Sequence, residues 1–215
     1  MNQADMPSSA YFTGSRIDLL GVLPSACNRV LDVGCGFGGF GRSLREAGVN
    51  EVYGVEINPD AAPYLKNDYT QFWIGDVETV EIPSDTTLFD CIVFADLLEH
   101  LRDPWGTLLK YKKWLRPGGY VVASIPNVRN IALVYNLVLR GRWKYEDSGL
   151  LDRTHLRFFT RKEIVDMFEA SGLKIDKMMY NRENLSLFRR IATAPLIAFI
   201  PDLSICQFLI RARLT

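Results

Sequence analysis

Between residues 29 and 41 an apolar strand pattern runs directly into alternating glycines: Arg29-Val30-Leu31-Asp32-Val33-Gly34-Cys35-Gly36-Phe37-Gly38-Gly39-Phe40-Gly41. No other stretch limits the fold as much. Gly34, Gly36 and Gly38 remove side chains where the backbone turns sharply and where a ligand approaches it. A strand, a glycine turn and a helix together form the unit with which parallel sheets build nucleoside-cofactor sites. The rest of the chain repeats the alternation. Strand patterns fall at Arg29–Val33, 51–57, 71–75, Phe89–Ala95 and 120–125, and 173–180 with 205–211 supply a closing antiparallel pair. Helical patterns lie between them at 17–23, 40–47, 61–67, 105–115 and Arg161–Ala170. Thr160 followed by Glu163 reads as a capping box for the last of these. The order predicts one doubly wound α/β domain over 1–215, with a mostly parallel seven-stranded sheet and an antiparallel last strand.

A chain of 215 residues can bury a sizeable core in one such domain. Its 25 Lys+Arg balance 25 Asp+Glu, which argues against duplex nucleic acid and for a small-molecule partner. The four cysteines, Cys27, Cys35, Cys91 and Cys206, are widely spaced, so neither a zinc site nor a disulfide framework is expected. No basic-then-apolar leader and no run of about 18 apolar residues stands in the chain, and a cytoplasmic location is the expectation.

The acids refine the ligand. Asp32 stands before the first glycine, where it would repel a pyrophosphate but accept hydrogen bonds from an ammonium group. Glu56, at the end of the second strand, suits the two ribose hydroxyls, a role that dinucleotide sites share. Asp76, in Ile74-Gly75-Asp76-Val77, is placed to accept an adenine amine, or is an ordinary turn residue. Then come Ala95-Asp96-Leu97-Leu98-Glu99-His100-Leu101 with Asp103-Pro104, and Leu115-Arg116-Pro117-Gly118-Gly119.

Taken in this order, over about 28–125, these segments resemble the motifs of class I S-adenosylmethionine-dependent methyltransferases of the small-molecule branch. The resemblance implies a Rossmann-like fold and S-adenosylmethionine as cofactor, leaving as S-adenosylhomocysteine. It implies that Asp32, Gly34, Cys35 and Gly36 hold the methionine end. Glu56 would take the ribose, Ile57 would pack on the adenine, and Asp76 and Val77 would bind it. Ala95, Asp96 and Leu97 would line the sulfonium end. Residues 1–25 become an arm or lid, 28–125 the cofactor-binding core, 126–160 an acceptor-recognition insertion and 161–215 the rest of the sheet.

Acceptor chemistry is less defined. His155 and His100, the two histidines of the chain, are the candidate catalytic bases. For each the alternative is a structural imidazole at a helix start. The segment from Ile125-Pro126-Asn127-Val128 through Trp143-Lys144-Tyr145 to 152–160 resembles methyltransferases of bacterial sugar and cell-surface polysaccharide biosynthesis. That implies a sugar hydroxyl as acceptor, with N- or C-methylation of another metabolite, or a non-catalytic binding module, as alternatives. Trp143 and Tyr145 would then stack on a sugar, and Arg140, Arg142, Arg153 and Arg157 would hold an anion. Otherwise the aromatics pack the insertion and the arginines are solvated. Residues 187–200 are too short to span a bilayer; they graze a membrane surface, or pack on the sheet or on a second copy in a homodimer. No metal ligand set is assigned.

Overall fold

The computed structural model describes residues 16–182 and 187–215, with the backbone alone described at 187–192. Of the expected arm or lid at 1–25, residues 1–15 lie outside them, while Leu19 and Val22 are buried in the core. Seven strands form one sheet: β1 (Arg29–Val33), β2 (Glu51–Glu56), β3 (Gln71–Ile74), β4 (Phe89–Ala95), β5 (Leu115–Pro126), β6 (Leu173–Arg182) and β7 (Ile205–Leu214). Their order is β3-β2-β1-β4-β5-β7-β6. The first five are mutually parallel, and β7 runs antiparallel between β5 and β6. The helices are α1 (Ile17–Leu20), α2 (Gly39–Glu46), α3 (Ala62–Leu65), α4 (Pro104–Tyr111), α5 (Ile131–Arg140), α6 (Arg161–Ala170) and α7 (Leu187–Phe199).

Strand periodicity of two explains why both faces are covered. Leu31 and Val33 of β1, Ile92 and Phe94 of β4, and Val121, Ala123 and Ile125 of β5 enter one core with Leu108 of α4 and Phe168 of α6. Val30, Cys91, Val93 and Val122, their neighbours, enter the opposite core with Leu44 of α2 and Leu65 of α3. From β1 the chain winds outward through β2 and β3, then returns to begin β4 on the other side. The carboxyl ends of β1 and β4 therefore part into a crevice, the place where open α/β sheets bind ligands.

The structure differs from the sequence expectations at several points. The helix expected at 17–23 ends at Leu20, and the one at 61–67 is a 3₁₀ turn, Pro59–Ala61, followed by a single turn of α3. Strand β5 begins at Leu115, five residues before the expected start. Pro117-Gly118-Gly119 forms an irregularity within it: Phe89 pairs with Leu115, but Cys91 pairs with Tyr120. The insertion contains α5, opened by Asn130, whose side chain accepts from the Ala132 amide at 2.9 Å. The Thr160 hydroxyl is turned onto the Glu163 carboxylate rather than onto the α6 amides, so the Thr160 half of the capping box is not formed, while Glu163 still reaches back to the Thr160 backbone. From Ala194 to Phe199 the α7 side chains are mostly exposed, Phe199 at 87%, so this segment is not packed onto the sheet.

Candidate active site

The glycine loop takes the conformations that its composition predicts. Gly34, Gly36 and Gly38 have φ of 76°, 54° and 84°, in the left-handed region. The amides of Gly34 and Cys35 both donate to the Val55 carbonyl, at 2.8 and 3.1 Å, which ties the loop to the end of β2. A Cβ on Gly34 would lie 2.9 Å from Leu97 Cδ1, so Leu97, just beyond β4, closes over the loop.

Glu56 clasps the two turns that flank the crevice. Its Oε2 accepts from the Gly36 amide at 2.7 Å and its Oε1 from the Asn58 amide at 2.8 Å. A carboxylate oxygen has two lone pairs, so one on each oxygen is left for a diol. Ile57 beside it is 64% exposed, an apolar surface with nothing over it among the described residues. Asp76 is exposed and accepts from the Glu78 amide at 2.8 Å, while Val77 beneath it is buried.

Asp32 faces a partner that the sequence reading missed. It is 1% exposed, and its Oδ2 accepts from the Tyr69 hydroxyl at 2.7 Å. Burial raises its pKa to about 7; the nearby Glu56 charge adds to this and the Tyr69 hydrogen bond opposes it. Tyr69 lies where glycines make room. A Cβ on Gly41 would come within 2.3 Å of its ring, and one on Gly54 within 2.9 Å. Burial also pushes the Cys35 thiol up.

At the mouth of β4, Asp96 adopts a positive φ of 50°, uncommon outside glycine. Four strands and the chain before α1 meet there. The Ser124 hydroxyl donates to Asp96 Oδ1 at 2.8 Å, Gln207 Nε2 donates to the same oxygen, and Arg16 pairs with Oδ2. Arg16 also binds Asp18 at 3.0 Å, and Asn181 binds both Asp18 and Gln207. Asp96 was expected here. Arg16, Ser124, Asn181 and Gln207 come from segments far apart in sequence and carry no motif.

Beyond Leu97 the two histidines meet. The His100 and His155 rings are 4.7 Å apart, edge to face, although they stand 55 positions apart in the sequence. His100 ends a 3₁₀ turn and His155 lies in irregular backbone, so neither starts an α-helix. Between them the sequence reading missed Glu99, which is 1% exposed and has no hydrogen-bond partner on either carboxylate oxygen among the described residues. Burial raises its pKa to about 8, with Asp152 adding to the rise; the fields of its own amide and of Arg16 oppose it. Burial lowers both imidazoles, and at His100 the neighbouring His155 adds to the effect. The Glu99 carbonyl accepts from the Leu156 and Arg157 amides at 2.8 and 2.9 Å, anchoring the insertion at this mouth.

In that insertion Trp143 packs on Phe158 at 5.1 Å, Arg153 pairs with Asp147, and Arg157 bonds the Arg102 carbonyl at 3.1 Å and lies over Trp105. Arg140 lies over Tyr135. Tyr145 remains half exposed.

A carboxylate at the end of β2, an open apolar neighbour and a glycine cradle define a nucleoside-cofactor crevice. Residues 10–178 match the methyltransferase domain family, and the chain belongs to it: this is a class I S-adenosylmethionine-dependent methyltransferase domain. The chain is 26% identical over 162 residues to the ubiquinone biosynthesis O-methyltransferase of Cereibacter sphaeroides, covering 73% of this chain and 64% of that one. It is 31% identical over 114 residues to the phosphoethanolamine N-methyltransferase of Triticum aestivum, covering 50% of this chain and 22% of that one. The chain thus spans under two thirds of the length of either relative. Its fold matches the N-methyltransferase NodS from Bradyrhizobium japonicum, solved with S-adenosylhomocysteine, at TM-score 0.60 and 16% identity over 92% of this chain and 84% of that one.

The residues present fit S-adenosylmethionine. A side chain on Gly34 would fill the cradle, and the carboxylates of Asp32 and Glu56 offer acceptors that suit an ammonium group and a diol.

Proposed function

We propose that this protein transfers a methyl group from S-adenosylmethionine to a hydroxyl of a small molecule. Asp32, Gly34, Cys35 and Gly36 would hold the methionine end, Glu56 the ribose, and Ile57, Asp76 and Val77 the adenine. Ala95, Asp96 and Leu97 would face the sulfonium. When bound, the cofactor supplies an electrophilic methyl group, so the chain's own work is to orient an acceptor and take up its proton. The observation that carries an oxygen acceptor is the group of Glu99, His100 and His155 just past β4. A neutral amine presents a free lone pair and needs no such group, whereas a hydroxyl must lose its proton. His155 and His100, held neutral by burial, are the residues to receive it. A sugar or glycosylated precursor is the acceptor class we favour. The half-exposed Tyr145 supports it as a stacking surface, while Trp143, Arg153 and Arg157 are engaged within the insertion.

Calorimetry with S-adenosylhomocysteine tests the donor, and absence of binding would reject the whole reading. Turnover on glycosides, phenols and amines tests the acceptor. His155→Ala is expected to keep cofactor affinity and lose at least tenfold in turnover on hydroxyl acceptors. Methylation confined to amines would overturn the oxygen assignment.

A further inference from the structure

We propose that Glu99, His100 and His155 form a divalent-cation site at the carboxyl end of β4. This inference rests on the reading of that mouth as the acceptor's end of the crevice. One ligand atom from each residue lies within 4.8 Å of those of the other two. Ligands sharing one ion stand about 3 to 3.5 Å apart at metal–ligand distances of about 2.1 Å. Closing onto an ion therefore draws them together by about 1 Å or slightly more.

Glu99 is the observation that calls for a partner. Both its carboxylate oxygens are enclosed, and neither meets a donor among the described residues. A buried carboxyl whose oxygens meet no donor is a costly arrangement, and pairing or metal ligation is the usual remedy. Arg16, the nearby cation, is engaged by Asp96 and Asp18.

The imidazoles are set up as ligands. His155 Nδ1 lies 3.3 Å from the Leu150 carbonyl, so a proton on Nδ1 leaves a bare lone pair on Nε2. His100 Nδ1 lies 3.0 Å from Thr154 Oγ1, and that hydroxyl donates to Asp152 Oδ1 at 2.6 Å, which leaves it free to accept from His100. Backbone carbonyls and a carboxylate behind the far ring nitrogen are the usual supports of metal-bound histidine. Two imidazoles and one carboxylate select a borderline ion such as Zn²⁺, Mn²⁺, Fe²⁺ or Co²⁺ over Mg²⁺ or Ca²⁺. Three protein ligands leave open positions, and an ion there would favour the ionised form of an acceptor hydroxyl brought to it; with the ion bound the imidazole lone pairs are taken, so the proton passes to solvent rather than to His100 or His155.

Co²⁺ serves as the probe because its visible absorption reports ligand number and type. His100 and His155 are the two histidines of the chain, so in tag-free protein imidazole ligation has one origin. Chelator-treated protein titrated with Co²⁺ is expected to take up one equivalent with d–d bands in the visible. Glu99→Gln and His155→Ala are each expected to weaken binding by a hundredfold or more. Zn²⁺ is expected to bleach the bands in competition. Affinity for S-adenosylhomocysteine, measured in the same variants, is expected to stay within twofold, which shows that they fold. Absence of a one-equivalent cobalt spectrum, its persistence in both variants, or a sulfur-to-metal band showing cysteine ligation would each overturn the site. Loss of cofactor binding in the unaltered protein would reject the methyltransferase reading and leave the cobalt result standing by itself.

Discussion

Asp32, on β1 and 1% exposed, carries a titration that its burial sets. The sequence marks it as the acid before the glycines; the structure shows it enclosed with Tyr69 and raised to about 7. In the unfolded chain the group ionises near 3.8, whereas in the fold it keeps its proton until about 7. Its favourable contribution to stability is therefore complete below pH 3.8 and is lost as pH rises to about 7. Asp32→Asn keeps an acceptor for the Tyr69 hydroxyl and has no proton to lose. Relative to the unaltered protein, its Tm is expected to rise progressively from pH 4 to pH 7 and to level off above that; a difference independent of pH would refute the buried, proton-holding carboxyl. Tyr69 itself was not legible, because no spacing rule links a tyrosine to an aspartate 37 positions earlier. The same holds for Glu99, whose place in a Glu-His-Leu segment was noted while its missing partners are visible only in three dimensions.

Among the elements, the strands that bear the crevice were readable because each is a short apolar run ended by an acid, glycine or proline. Helix α5 was not. Its sequence, Ile131 to Arg140, is apolar nearly all round, with Leu137, Val138 and Leu139 exposed, so it shows no polar face from which a helical period could be read. The early start of β5 was masked by Pro117-Gly118-Gly119, which read as a break and is an irregularity within the strand. Helix α2 carries the clearest dependence of an element on one position. Gly41 sits on the side that meets the Tyr69 ring, and a methyl there would overlap it at 2.3 to 2.4 Å. Tyr69 is enclosed by Gly38, Gly41 and Gly54, so it has little room to withdraw. Gly41→Ala is expected to destabilise the fold by about 1 to 3 kcal/mol, the usual cost of overpacking, read as a lower denaturant midpoint at unchanged m-value. It is also expected to weaken cofactor affinity, because Tyr69 can no longer hold Asp32. A neutral outcome would mean that the ring relaxes and that the glycine loop is not coupled to it. Gly38 and Gly41 of the opening motif thus make room for a buried tyrosine.

At the scale of the molecule, the winding that reverses between β1 and β4 makes the crevice the seam between the two halves of the sheet. Glu56 fastens one side of that seam by holding the Gly36 and Asn58 amides, and Leu97 closes the other over Gly34. A ligand seated there binds the folded state alone, and its affinity must appear as stability. S-adenosylhomocysteine at a hundred times its Kd is expected to add about 2.7 kcal/mol. In a chain of this size that corresponds to a Tm rise of roughly 5 to 10 °C. Glu56→Ala removes the loop clasp and, on the proposed reading, the diol acceptor, with separable consequences. Without ligand its Tm falls, because two amides lose a charged acceptor, at a cost of about 1 to 3 kcal/mol. With ligand at the same concentration its further rise is expected to shrink to less than half that of the unaltered protein. A variant that melts lower but still gains the full ligand shift would make Glu56 a clasp only, and the ribose would have to be held elsewhere along the seam.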